Sequence, residues 1–277
     1  MVSLLDLGQN LRGRVSTYSI VKELHRAADQ GAVYLGTWAS FTLHDESAVT
    51  NEHRRNESGG KCIVKSIRGH WRLENEVFIL GKYQATSPLF RPLEDEILDP
   101  ADPPSIVLKY LDSDLRAESN RQRLSRPDIK KVAKKACWKP SVSYTGTAWS
   151  ILVHIKLDNI FVNLGQQGDP ERFTDIRLGD CGGVVPTQSK LATEPGHLIG
   201  ASFTRSPEAQ LGLSWGTSTD IWSFGNAVRT SIGSFDLWAH TNVDVMWRFS
   251  LYYTGEGFIS SILPTRVANP RMNTMNW

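Results

Sequence analysis

Arg205-Ser-Pro-Glu208 and, twelve residues on from its acid, Asp220-Ile-Trp-Ser-Phe-Gly225 decide how this 277-residue chain is read. Trp222 and Phe224 are expected in a core whatever the acids do. Working outward from this pair, three further pieces lie upstream in a fixed order. Leu178-Gly-Asp-Cys-Gly182 places an acid in a glycine-flanked turn, the setting Asp and Gly favour. Ile155-Lys-Leu-Asp-Asn-Ile-Phe-Val162 runs from a polar turn into a strand; taken alone, Asn159 there would make local backbone bonds. Ile63-Val64-Lys65 ends a compact apolar strand, and Glu76 follows the lysine by eleven residues. A strand ending in lysine is by itself usually a solvated terminus. The weight lies in order and spacing: Asp180 stands 21 residues after Asn159, room for two short strands, their turn and a small polar insertion.

The remaining pattern divides the chain into a strand-rich first part and a helical second part, which predicts two lobes around a cleft. Residues 17–24, 32–38, 61–67 and 105–111 are rich in Val, Ile, Leu and Tyr and predict strands, while 41–60 is polar and predicts an exposed loop. Over 71–83 the period becomes helical, with Leu73, Val77, Leu80 and, less strictly, Phe78 on one face. Ser125-Arg-Pro-Asp128 is a helix start, with a Ser cap, Pro in the first turn and an acid three residues on. Ile129, Val132, Ala133, Ala136 and Cys137 follow at helical spacing, and Lys130, Lys131, Lys134 and Lys135 between them read as a solvated face. Trp138-Lys-Pro140 ends that helix.

Composition narrows the function classes. With 22% charged residues and a net charge of +2, the chain lacks the basic surface of a dedicated nucleic-acid binder. The longest apolar run, 148–155, is interrupted by Ser150 and His154 and is too short to span a bilayer. The N-terminus has neither a basic start nor a sustained apolar segment, so no secretory signal is expected. Cys62, Cys137 and Cys181 are odd in number and never form a CxxC pair, which fits a reducing, intracellular compartment in the cytoplasm or nucleus.

In their order and spacing the four pieces resemble a eukaryotic protein kinase domain of the serine/threonine type, over roughly residues 10 to 230. The resemblance implies an α+β, two-lobed fold, with a small β-rich N-lobe over 1–110 and a mainly helical C-lobe over 111–277, in which the likeness fades after about 230. It implies ATP and Mg2+ as cofactors and a protein as substrate or partner. Phosphoryl transfer asks little covalent chemistry of the protein, only cations, metal ligands and a group that positions the attacking hydroxyl. By resemblance Lys65 would hold the nucleotide phosphates and Glu76 would orient it, with Glu74 near enough to compete and Leu80 packing the helix. Lys156 would touch the transferred phosphate, and lysine there follows the serine/threonine pattern. Asn159 and Asp180 would bind magnesium, and Asp220 would accept hydrogen bonds from backbone amides of the catalytic loop. Gly8 and Gly13 with Arg14-Val-Ser-Thr-Tyr18 are a loose echo of the glycine-rich phosphate loop, which makes Gly13 a nucleotide-binding candidate.

The pattern also breaks. The catalytic aspartate belongs two residues before the loop lysine, and His154 stands there; an alternative alignment keeps His154 as the motif histidine and deletes the next two residues. Either way the base is missing. Cys181 replaces the phenylalanine of the Asp-Phe-Gly motif and removes packing that senses active and inactive states. Residues 138–150 show no helical period, nor do 235–277, and Arg266 and Arg271 are the remaining guesses for an arginine to pair with Glu208. These losses read either as true divergence or as altered exon boundaries, with an incomplete lower lobe. Three readings follow: a kinase of reduced activity, a pseudokinase that binds nucleotide or a partner without turnover, and a poorly folding fragment.

Overall fold

The structure is a computed structural model and describes residues 4–27, 31–40, 60–85, 87–136, 155–166, 168–202 and 204–232. His154, Cys137, the 138–150 and 235–277 stretches, Arg266 and Arg271 lie outside the described residues.

Six strands close into a barrel. β1 (Asn10–Gly13), β2 (Thr17–Arg26), β3 (Gly31–Ser40) and β4 (Lys61–Ile67) are successive antiparallel neighbours. β4 then pairs with β6 (Ser105–Lys109), β6 with β5 (Leu93–Asp99), and β5 returns to β1. Alternation makes this possible, because strand side chains point to opposite faces in turn. Tyr18 and Ile20 on β2, Ala32, Tyr34 and Trp38 on β3, Cys62 and Val64 on β4, and Val107 on β6 fill the interior with Leu11 and Ile97. Tyr18 and Trp38 meet with ring centroids 5.1 Å apart at a tilted angle of 58°. Ile63 and Lys65 therefore point the other way. β1 and β5 were not foreseen from the sequence. β5 reads Leu-Glu-Asp-Glu-Ile-Leu-Asp, and beside Ile97 its buried residue is a carboxylate, Asp95.

Helix α1 (Trp71–Tyr83) lies between β4 and β5 in sequence and packs on β5 and β6. His70 caps it, its Nδ1 accepting from the Arg72 amide at 3.2 Å. Its buried residues are Leu73, Glu76, Ile79, Leu80 and Tyr83. Phe78, expected on that face, is 56% exposed. Five residues on from Leu73, it stands about 140° away round the helix.

The following part is mostly helical with one small sheet. β7 (Ser113–Asp114) leads into α2 (Leu115–Arg121), which Asp114 caps by accepting from the Ala117 amide at 2.9 Å. α3 (Arg126–Ala136) begins with the box read from the sequence: Asp128 accepts from the Ser125 amide at 2.9 Å, and Ser125 Oγ accepts from the Asp128 amide at 3.3 Å. Lys130, Lys134 and Lys135 are exposed as expected, whereas Lys131 is half-buried and bridges Glu171 and the Phe173 carbonyl. β8 (Ile160–Leu164) and β9 (Phe173–Leu178) form a hairpin that pairs with β7. α4 (Lys190–Thr193), α5 (Pro207–Gln210) and α6 (Ser218–Ile232) follow, with Val185, Ala192, Ile199, Ala209 and Trp215 as a local apolar cluster. Glu208 is satisfied here by hydroxyls, accepting from Thr219 Oγ1 at 3.0 Å and Ser218 Oγ at 3.4 Å. Phe224 is buried; Trp222, expected in the core, is half-buried.

The described residues all fall within one compact unit, Met1–Ile232, and residues 233–277 lie outside the described residues. Among the described residues no helix is long and apolar enough to cross a membrane.

Candidate functional site

Lys65 occupies the outward face of β4 because Val64 and Ser66 point inward. Glu76 reaches it from α1. The Lys65 Nζ lies 2.6 Å from Glu76 Oε2 and 2.8 Å from Asp180 Oδ1, so one ammonium bridges two carboxylates. Burial alone pulls the ammonium down, but the two carboxylates outweigh it and hold Lys65 above its ordinary value. Glu74, the competing acid, is exposed, while Glu76 is 1% exposed. Glu76 also uses its second oxygen, Oε1, to accept from the Cys181 amide at 3.2 Å.

The β8–β9 hairpin brings Asp180 and Asn159 to the same end. Ile160 pairs with Leu178, so Asn159 and Gly179 sit just beyond one paired rung, and the Gly179 amide donates to the Asn159 carbonyl at 2.9 Å. On its other side Leu178 is bracketed by residues 89–91: its amide donates to the Leu89 carbonyl, and its carbonyl accepts from the Arg91 amide, each at 2.8 Å. The backbone entering Asp180 is thus fixed from both sides. Arg91 is a site residue the sequence gave no sign of. It is buried, donates from Nε to the Lys109 carbonyl at 2.6 Å, and lays its guanidinium over the Phe161 ring at 4.3 Å. Burial lowers its pKa to about 10, against the pull of Glu76 and Glu94. Gly179 is needed for the approach, since a Cβ there would come within 2.5 Å of the Phe161 ring.

Asp180 itself adopts φ 58°, ψ 57°. The left-handed region is costly for most residues and tolerated by Asp, and strained positions of this kind cluster at functional sites. Its side chain is 43% exposed, whereas Asn159 is 4% exposed. A carboxylate and an amide oxygen are hard donors of the kind Mg2+ takes, and Mg2+ is commonly held by one or two carboxylates plus phosphate oxygens. By donor type that pair suits the metal that the resemblance implies, although among the described residues no three His, Cys, Asp or Glu gather into a metal cluster.

Two candidates make their contacts away from Lys65 in this structure. Lys156, at the start of a 3₁₀ turn over Leu157–Asn159, turns its ammonium to Asp158 at 2.9 Å, and Arg116 Nε lies 3.6 Å from the same carboxylate. Gly13 is not brought to the cluster at all. It ends β1 beside a turn that leads into Thr17, and Thr17 pairs with Ser40. Lys65 instead pairs with Val33, and Val33 with His25, near the other end of β2 from Thr17. The amides of Arg14, Val15 and Ser16 are already taken, donating to the Asp95 carboxylate at 3.0, 3.0 and 3.1 Å. A Cβ on Gly13 would run into Asp95 Oδ2, so this glycine serves the closure of the barrel. The strand start beside Lys65 is Gly31-Ala-Val33, which matches the closing G-x-V of a glycine-rich loop. That short signal stands in the sequence ahead of the lysine strand, where it is weaker than the paired glycines at 8 and 13.

No family model matches the sequence, and no curated protein matches it. Among solved structures the chain is similar to vaccinia related kinase 3, with a TM-score of 0.59, at 16% identity, over 92% of this chain and 78% of that one. At that identity the likeness speaks for the fold, and the order barrel, helix, small sheet and helices agrees with it. The chain has a protein-kinase-like fold.

Proposed function

We propose that this chain is a two-lobed, serine/threonine-kinase-like protein that binds magnesium and ATP in the region of Lys65 and Asp180, with phosphoryl transfer to protein hydroxyls impaired by loss of the catalytic aspartate. The observation that carries the reading is the single ammonium of Lys65 held between Glu76 and Asp180 at 2.6 and 2.8 Å. In that arrangement Lys65 offers a buried cation to phosphate oxygens, and Glu76 keeps it aimed. Gly31 and the start of β3 flank the same position. Asp180 and Asn159 would hold the metal, which offsets phosphate charge when bound. The N-lobe would run to about residue 110 and the C-lobe from there on. The partner is read as a protein, with neither nucleic acid nor membrane, in an intracellular compartment.

A second reading, binding without turnover, is favoured by one further observation. Lys156, the residue expected to touch the transferred phosphate, is paired with Asp158 in this structure. A phosphate would have to displace that partner. The catalytic position itself is His154. An imidazole can accept a proton but has a different reach from a carboxylate, and a general base contributes about a hundred- to ten-thousand-fold.

Thermal stabilisation by ATP, with and without Mg2+, measured beside a protein-phosphorylation assay, separates the readings. Magnesium-dependent stabilisation with little or no transfer is the expected result. Robust phosphorylation that is abolished by Lys65→Ala would overturn the impaired reading, and absence of any nucleotide effect would overturn the binding site.

A further inference from the structure

Beyond Asp180 the chain makes a 3₁₀ turn over Cys181–Gly183 that lies against α1. In the motif that this stretch resembles, a phenylalanine follows the aspartate and anchors the turn by packing. Cys181 is fully buried but small, so it fills little of such an anchor. Polar contacts from α1 take its place. The Asn75 side-chain amide donates to the Gly182 carbonyl at 3.0 Å and to the Val184 carbonyl at 2.9 Å, using both of its hydrogens. The next residue along, Glu76, accepts from the Cys181 amide. Gly182 lets the two backbones close up, since a Cβ there would lie 2.8 Å from the Arg72 carbonyl oxygen.

We propose that Asn75 is a positioning residue that ties the turn after Asp180 to α1 and so sets the Asp180 carboxylate, a polar staple standing where aromatic packing is missing. The functional half of this inference rests on the reading of Asp180 as a magnesium ligand; the staple itself does not. Two hydrogen bonds from one neutral amide make the turn follow α1 as a unit. Glu76 is already shared between Lys65 and Cys181, so Asn75 is the contact that acts on the turn without touching Lys65.

Native-state alkylation resolved by peptide mass spectrometry tests the staple without nucleotide. Cys181 reports the turn, and Cys62, buried in the barrel, reports global unfolding. Asn75→Ala should raise the alkylation rate of Cys181 by about tenfold or more, as expected from losing two hydrogen bonds, with Cys62 unchanged. Asn75→Asp keeps the size, faces carboxylate oxygens at the two carbonyls and should expose Cys181 at least as much. Asn75→Gln keeps the donors and should recover part of the protection. Equal protection of Cys181 in all variants, or Cys181 and Cys62 rising together, overturns the proposal. Where the unaltered protein shows magnesium-dependent stabilisation by ATP, Asn75→Ala must also raise the Mg2+ concentration giving half the effect; an unmoved midpoint overturns the positioning of Asp180. Absence of that stabilisation in the unaltered protein counts against the metal reading alone, and the thiol result still decides the staple.

Discussion

Two aspartates, one inside the barrel and one beside Lys65, show how differently one side chain can be used. Asp95 is 5% exposed and wholly occupied: three successive amides of the β1–β2 turn donate to it, and Tyr18 donates its hydroxyl at 2.9 Å. Burial and the adjoining carboxylate push the Tyr18 hydroxyl far above its ordinary range, so it remains a donor at any physiological pH. Asp180 is 43% exposed, in a left-handed backbone conformation, and meets a lysine that also serves Glu76. The first carboxylate completes a fold and has no capacity left for a ligand. The second sits open beside a buried cation. A turn of glycines and backbone amides looks like a phosphate loop in sequence in both the used and the unused case; what separates them is whether the protein supplies its own anion.

Replacing Asp95 with Ala should have the largest effect, a loss of about 3–5 kcal/mol in stability, because a buried charge partner disappears and leaves amides and a phenol unsatisfied. Chemical denaturation measures it, and a loss below about 1 kcal/mol would break the contrast with Asp180. Gly13→Ala should follow at about 2 kcal/mol, the cost of forcing a methyl group into a filled space, with any nucleotide response kept. A selective loss of that response instead would return Gly13 to the phosphates.

Glu94, next to Asp95, sharpens the comparison through pH. Burial, opposed by Lys109 and Arg91 and aided by Asp95, raises its carboxyl to about 7. The folded state therefore holds a proton that the unfolded chain releases near pH 4.5, so stability is full below that value and falls as pH rises towards 7. The loss should be on the order of 2 kcal/mol, and Glu94→Gln should remove this part of the pH dependence. An identical pH profile in both proteins would show that Glu94 does not titrate in this range.

Asp180→Asn should change stability least, by under about 1 kcal/mol, since the residue is partly exposed and Lys65 keeps Glu76. It should nevertheless abolish the magnesium-dependent part of any stabilisation by ATP. Unchanged stabilisation would place the metal elsewhere. A large loss of stability, comparable to that of Asp95→Ala, would make both aspartates structural.

Much of this architecture was legible in the residues. The apolar periods over 17–24, 32–38 and 61–67, the helix from Trp71 and the Ser125–Asp128 box depend on neighbours in sequence, and the structure has strands and helices at those places. The spacing of Lys65 and Glu76, and of Asn159 and Asp180, is likewise local: a strand and a helix turn in one case, a hairpin in the other. What the order of residues did not carry was set by partners distant in sequence. β5 carries a weak apolar signal because only Ile97 joins a buried carboxylate, Asp95, and that carboxylate is stable there through amides some 80 positions away. The same long-range contacts turned Gly13 from a phosphate-loop candidate into a clearance for Asp95. Arg91 and Asn75 have no motif around them, and their roles arise from where β9 and the Cys181 turn arrive. By itself the sequence determined which elements form and which ionisable residues they carry, because propensity and period act between near neighbours. Only the tertiary structure decided which glycine turn is free, which carboxylate is spent and what holds Asp180 in place, because hydrogen bonds and burial join residues the chain keeps far apart.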